Sequence, residues 1–318
     1  MTMMWGDKRY NSLNHFLRQK FGEKVFKISL DAGFTCPNRD GTKSTGGCIF
    51  CSQRGSGDFA GKGSNLVDQF YEEKKVMNKK WKSGKYIAYF QAYTNTYAPV
   101  DELREKYTKM LNLDDVSGIA IATRPDCLPD DVLELLSEIS KRTYMWVELG
   151  LQTINEDTAK LINRGYDINT YIEAVRQLKK RNIEVVTHVI LGLPGESHDD
   201  MKKTIKFVAN TGTQGIKLHL LHLMKGTRLE EFYNTKKFHL LEMEEYVNLI
   251  ADSLEMLPPD MVIHRLTGDS PRNLLIGPMW SLKKWEVLNA IDDCLKLRDT
   301  YQGRTYKCDE SIKNLFIV

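Results

Sequence analysis

The sequence has no run of about 18 consecutive apolar residues, the length a membrane-crossing helix needs. It has no internal repeat and no low-complexity tract, which excludes solenoid, collagen-like and linker-dominated architectures. Proline and cysteine are scarce, at 9 and 6 in 318 residues. So few cysteines in a chain this long do not make a disulfide scaffold. Neither sign of charge dominates: 45 Lys and Arg face 42 Asp and Glu, for a net +3. That balance permits a nucleic-acid partner without demanding one. Residues 1–10 lack an apolar core of signal-peptide length followed by a cleavage site. The expectation is a cytoplasmic protein with no membrane partner. With 42% hydrophobic and 27% charged residues, there is ample apolar material for a folded core.

Short apolar runs alternate with amphipathic stretches from residue 25 onward. Strands are expected at 25–30, 86–91, 117–122, 144–151, 183–190 and 215–222. Helical periodicity covers 65–82, 101–111, 130–141, 155–162, 168–181, 198–210, 240–257 and 280–301. Six such β/α steps predict a parallel sheet with crossover helices. At this level a barrel, open or closed, and a doubly wound sheet look alike. The chain divides into an N-terminal segment (1–24), a core (25–257) and a C-terminal extension (258–318) after Pro258 and Pro259.

Three of the six cysteines fall within sixteen residues, as Cys36, Cys48 and Cys51, with spacing C-x11-C-x2-C. In a reducing compartment such a group reads as a metal site. A structural zinc site normally closes with four protein ligands. A four-iron cluster takes one ligand per iron, so three thiolates leave one iron open to a small molecule. The loop follows the first strand, on the edge where α/β folds bind ligands. Zinc with a distant fourth ligand, His15 or Cys127, is the competing reading. Cys127, Cys294 and Cys308 are scattered and read as ordinary thiols.

The cysteine loop and the β/α units together resemble the radical S-adenosylmethionine (SAM) superfamily. The usual first gap there is three residues, and this sequence departs from it with eleven. Longer first gaps occur in the Elp3-like branch, and the closer resemblance is to the YhcC/YtqA-type, MnmL-like group. The stretches that carry it are 34–41, 46–51, 90–97, 123–127, 148–152, 188–196, 217–219 and 265–269. The resemblance implies a partial (β/α)6 TIM-like barrel holding a [4Fe-4S] cluster on Cys36, Cys48 and Cys51. SAM would bind the open iron and yield a 5′-deoxyadenosyl radical. It further implies a tRNA substrate, with carboxymethylaminomethyl-uridine at the wobble position converted to aminomethyl-uridine. An electron donor such as flavodoxin or ferredoxin, and a SAM-dependent methyltransferase acting next, would be its partners. A radical enzyme on a small molecule and a non-catalytic zinc-binding RNA protein are the alternatives.

Phe50 lies between the two close cysteines, where an aromatic ring could cover a nucleobase. Glu148 and Gln152 share one strand face by period two and could converge on one ligand. A buried Glu148–Arg124 bridge is the bland alternative. Arg124 is a candidate for the SAM carboxylate or ribose. The glycine-rich SAM-binding segment of many relatives is missing after the second strand, so Gln91 and Asn95 are its substitutes. Gly192 lets backbone approach an adenine. His188 is a pocket or core histidine. Lys217 and His219 share a face and could meet a phosphate or carboxylate of the substrate, whereas His222 points away from His219. Lysines 74, 75, 79, 80, 82 and 85 form the densest basic run and read as a solvated helix face. The tail mixes Lys283, Lys284, Lys296, Arg298, Arg304 and Lys307 with Trp280, Trp285, Tyr301 and Tyr306, a composition suited to RNA.

Overall fold

A computed structural model describes residues 3–317 apart from Ser64, Lys80 and Lys82. The expectation for Lys80 and Lys82 therefore lies outside the described residues. The chain order is α1 (Leu13–Phe21), β1 (Val25–Leu30), α2 (Leu66–Asn78), β2 (Lys85–Phe90), α3 (Val100–Leu111) and β3 (Val116–Thr123). Next come α4 (Asp130–Ser140), β4 (Tyr144–Gln152), α5 (Glu156–Leu161), α6 (Ile168–Lys180), β5 (Glu184–Leu191), α7 (His198–Ala209) and β6 (Gly215–Leu220). The remainder is β7 (Leu223–Met224), α8 (Arg228–Thr235), α9 (Met243–Met256), β8 (Val262–Arg265), β9 (Leu275–Gly277), α10 (Lys284–Leu297) and α11 (Glu310–Lys313).

Seven strands form one parallel sheet in the order β1-β2-β3-β4-β5-β6-β8. Cross-sheet contacts show that it is curled. Lys217 on β6 donates to the Tyr89 hydroxyl on β2 at 3.0 Å. On a flat sheet those strands would stand about 19 Å apart, at roughly 4.8 Å per strand. Trp146 on β4 also packs edge-on against His264 on β8, with centroids 5.4 Å apart. The result is a half-barrel of α/β class, as the resemblance implied, with seven strands instead of six. The added strand, Val262–Arg265, lies in residues read from sequence as the extension. Four residues just after a Pro-Pro pair are too short to show alternation.

Residues on the outer face of the sheet, among them Ile28, Leu30, Ala88, Phe90, Ile119, Val147 and Leu149, pack under the helices as the main core. The inner face packs Val25, Ile87, Tyr89, Ala120, Trp146 and Val186 against Leu17 of α1. That helix, unread in the sequence, closes the N-terminal end of the half-barrel. It is set by Ser12 at its N-cap and by Gly22, at φ 75°, at its C-cap. The stretch expected as one helix over 280–301 is a short 3-10 turn, Met279–Leu282, followed by α10.

The basic tail residues are mostly neutralised. Lys283 pairs with Glu286 at 3.0 Å, Lys284 with Asp269 at 2.8 Å, Lys296 with Asp293 at 3.1 Å and Arg298 with Asp252 at 2.7 Å. Trp280 packs on Tyr246, while Trp285 stands exposed. The Lys283 and Lys296 partners stand three residues away in the tail itself, whereas Asp269 and Asp252 come from distant segments. Among the described residues, no helix is long and apolar enough to cross a membrane.

Candidate functional site

The loop after β1 carries Cys36, Cys48 and Cys51 at the C-terminal edge of the sheet, and all three thiols are free. The C-x2-C pair is one tight turn, with the Cys51 amide donating to the Cys48 carbonyl at 3.0 Å. Gly47, at φ 79°, lets the preceding chain pass Arg39, whose Nε stands 3.0 Å from where a Cβ would be. The loop is stitched to the connection after β4: the Ile49 amide donates to the Ile162 carbonyl at 3.1 Å, and Asn163 Nδ2 to the Gly47 carbonyl at 2.8 Å. Asn38 is fully buried at this seam. Its Nδ2 faces the carbonyls of Asn163 (2.6 Å) and Arg164 (3.2 Å) and lies 3.6 Å from Cys48 Sγ. Its Oδ1 is buried without a partner.

A hydrogen bond from Cys51 holds the Cys48 thiol down at about 7, with Arg124, Asn38 and Arg39 acting in the same direction against burial. The same bond pushes Cys51 well up. Burial drives the Cys127 thiol up to about 12. His15 sits in α1 near Gly6, at the opposite end of the half-barrel. His15 is therefore out of reach of the cysteine loop. Among the described residues, no three Cys, His, Asp or Glu side chains stand ready around a single ion. A zinc ion asks for four donors in one tetrahedral shell, whereas a four-iron cluster takes one thiolate per iron. Three soft donors on one loop, backed by an Asn amide, fit the cluster.

Beside this loop, Arg124 is spent on protein groups. It forks onto Asp126 at 2.9 and 2.8 Å and donates to the Arg164 carbonyl at 3.0 Å. Arg164, almost fully buried, in turn ties Leu151, Thr153 and Glu156 together. Gln91 is bonded to the Ser56 backbone at 2.7 Å, so it fastens the far part of the cysteine loop. Asn95 is buried and donates to the Ala122 carbonyl at 2.9 Å, with Oδ1 unpaired. Gly192, at φ 88°, donates to Met201 Sδ, and the nearest neighbour a side chain would meet is Leu241. Phe50 is half-buried in a separate apolar cluster with Ile49, Ile162, Leu223 and Leu229.

Period two fails at Gln152. Its φ is 67°, and the register with β5 shifts between Gly150 and Gln152. Its amide nevertheless lies 2.6 Å from where a Gly150 side chain would start, so the side chain folds back over Gly150 on the Glu148 side of the sheet.

Glu148 is the hub of the inner face. It is buried and accepts from Tyr89 Oη at 2.6 Å and Trp146 Nε1 at 2.9 Å. His188 Nε2 is 2.9 Å away and Lys217 is in direct contact, with Lys27 at 3.9 Å. Its bridge is to lysine and not to Arg124. Burial opposes ionisation, but Lys217, Lys27 and His188 together hold the carboxyl well below the usual carboxylate range. Burial holds His188 at about 4, with Lys217 adding to that and the Glu148 bond opposing it. His219 packs beside His188 at 5.2 Å between centroids. The structure thus brings Glu148, His188, Lys217 and His219 together. Lys27, Tyr89, Asn38 and Arg164 were missed in the sequence. A lysine in the middle of the apolar β1 was the one available signal, since charge there is costly unless it is used.

The chain matches the profile of the Radical SAM superfamily over residues 38–208 and that of the Radical_SAM C-terminal domain over residues 213–296. It is 57% identical to YtqA of Bacillus subtilis over 302 residues, covering 95% of this chain and 94% of that protein. Elongator complex protein 3 of Drosophila melanogaster is 30% identical over 162 residues, 50% of this chain and 29% of that protein. Among solved structures, the archaeal Methanocaldococcus infernus Elp3 with an N-terminal deletion aligns with a TM-score of 0.65 at 16% identity. That alignment covers 87% of this chain and 64% of the other.

Proposed function

The chain belongs to the radical SAM superfamily, and from that premise we propose that it modifies tRNA at the wobble uridine. The superfamily uses a [4Fe-4S] cluster and SAM, which when bound supply a 5′-deoxyadenosyl radical that abstracts a hydrogen atom. Cys36, Cys48 and Cys51 hold the cluster. Asn38 donates toward Cys48, and Arg124 with Arg164 fixes the loop against the end of β4. The half-barrel receives the substrate side chain on its polar inner face and keeps water away with the closed end beneath α1. The implied reaction converts carboxymethylaminomethyl-uridine to aminomethyl-uridine. Hydrogen abstraction at the carboxymethyl carbon next to the amine and loss of one further electron to the cluster would leave an imine. Water cleaves it at the C–N bond to aminomethyl-uridine and glyoxylate, SAM being the oxidant and leaving as methionine and 5′-deoxyadenosine. A flavodoxin or ferredoxin supplies the electron, and a methyltransferase takes the product.

The carrying observation is the three-thiol loop standing at the mouth of a half-barrel whose floor is charged. The likeness to Elongator complex protein 3 and to the MnmL-like motifs supports RNA as the substrate. Mass spectrometry of tRNA nucleosides tests the reading. Cells lacking the gene are expected to accumulate carboxymethylaminomethyl-uridine, with rescue by the intact chain and none by Cys51→Ala. Unchanged wobble uridines would end the tRNA assignment.

A further inference from the structure

The inner face of the half-barrel carries more cation than anion. Lys27 and Lys217 both face Glu148, one at 3.9 Å and one in contact, so two amines share one carboxylate. Arg265, at the end of β8, is 3.5 Å from Asp269, which also takes Lys284 at 2.8 Å. His219 Nε2 is buried with no partner. Such an atom costs free energy that a bound ligand recovers. Burial lowers the pKa of both lysines despite Glu148, as expected of ammonium groups short of a counterion.

Lys217 and Glu148 are sealed, whereas the side chains of Lys27 and Arg265 are 21% and 32% exposed. The unsealed cations therefore face whatever enters the barrel. The far end is closed by Leu17 and its neighbours on α1. A phosphodiester within a nucleic-acid backbone continues in both directions and cannot end there, so the group that enters is terminal. Lys27 and Lys217 exceed Glu148 by one positive charge, and Arg265 and Lys284 exceed Asp269 by one more, a surplus that an anionic terminal group answers.

We propose that Lys27, His219 and Arg265 form a subsite for a terminal carboxylate of the substrate, backed by the Lys217–Glu148 pair. Only the name of that carboxylate rests on the tRNA reading, which makes it the carboxymethyl group of the modified uridine.

Sarcosine (N-methylglycine) tests the subsite without any RNA. In ligand-observed saturation-transfer NMR with cluster-loaded protein saturated with SAM, sarcosine is expected to give a signal and sarcosinamide none. Lys27→Met and Arg265→Met should each raise the sarcosine Kd roughly tenfold or more, while Lys27→Arg retains binding. Circular dichroism and iron content check that the variants are folded and loaded. No sarcosine signal, an equal signal from the amide, or affinity unmoved by both Met variants would overturn the subsite. Sarcosine that binds cluster-loaded protein without SAM and is lost when SAM is added would also overturn it, by assigning the cations to the cofactor's own carboxylate. Sarcosine binding alongside unchanged tRNA nucleosides keeps the subsite and sinks the tRNA reading; altered nucleosides without sarcosine binding sink the subsite alone.

Discussion

Replacing Glu148 with glutamine removes a sealed carboxylate and leaves the Lys217 amine facing a neutral amide. Glu148 is 1% exposed and takes hydrogen bonds from Tyr89, Trp146 and Lys217, with His188 also in range. Removing one partner of a buried ion pair costs about 3–5 kcal/mol, because the surviving charge has lost its compensation. A ceiling follows from Lys217 itself, which can shed its proton instead. At pH 7 that costs no more than about 4.6 kcal/mol, roughly 3.4 pH units below the ordinary lysine value at 1.36 kcal/mol each. The expected loss of about 3–4.6 kcal/mol lowers the Tm by roughly 4.5–7 °C for a chain of this size. Thermal unfolding followed by circular dichroism at pH 7 measures it. Glu148→Gln combined with Lys217→Met removes the stranded amine and should recover about half of the loss or more. A double variant no more stable than Glu148→Gln alone, or a single variant within about 1 kcal/mol of the parent, would refute the reasoning.

Gly165→Ala puts a Cβ at a φ of 81°, 2.5 Å from Asn38 Oδ1 and 3.3 Å from Arg124 Nη2. It should cost about 1–3 kcal/mol and lower the iron retained after anaerobic reconstitution, read by iron and sulfide assay. Four half-buried histidines are held below their ordinary values chiefly by burial, His188 and His222 at about 4, and His219 and His264 also well below the usual range. Their depressed folded-state values mean that stability is full above the unfolded histidine pKa, about 6.5, and falls as pH drops toward 4. Tm measured from pH 7.5 to 4.5 should fall through that window, and His188→Gln should flatten the slope. Lys283→Ala and Lys296→Ala remove cations already paired with Glu286 and Asp293. Each should change tRNA affinity by less than about twofold in filter binding at fixed salt, and a fivefold loss would restore the tail as an RNA surface.

Much of the architecture was legible because parallel strands buried on both faces are written as continuous apolar runs, such as 116–123 and 184–191. β8 was not, since four residues carry too little pattern. The thiol loop was legible from spacing alone. The hub around Glu148 was only half legible: the charge on β4 and the Lys217–His219 face were visible. Their convergence with Lys27 and Tyr89 depends on curling the sheet, and no local sequence rule encodes that. The left-handed backbone and register shift at Gln152 carry no sequence signal, since Gln is not a residue that favours a positive φ. Arg124 was read as a partner of SAM or of Glu148, whereas Asp126, two residues on, takes it.

The central claim is that Cys36, Cys48 and Cys51 hold a cluster with one iron left open to SAM. The most direct measurement is 5′-deoxyadenosine released from SAM by the anaerobically reconstituted, chemically reduced protein, with iron and sulfide counted on the same sample. The account predicts about four irons per chain, turnover by the intact chain, and none after Cys51→Ala. A fully loaded, reduced protein that leaves SAM whole would contradict it.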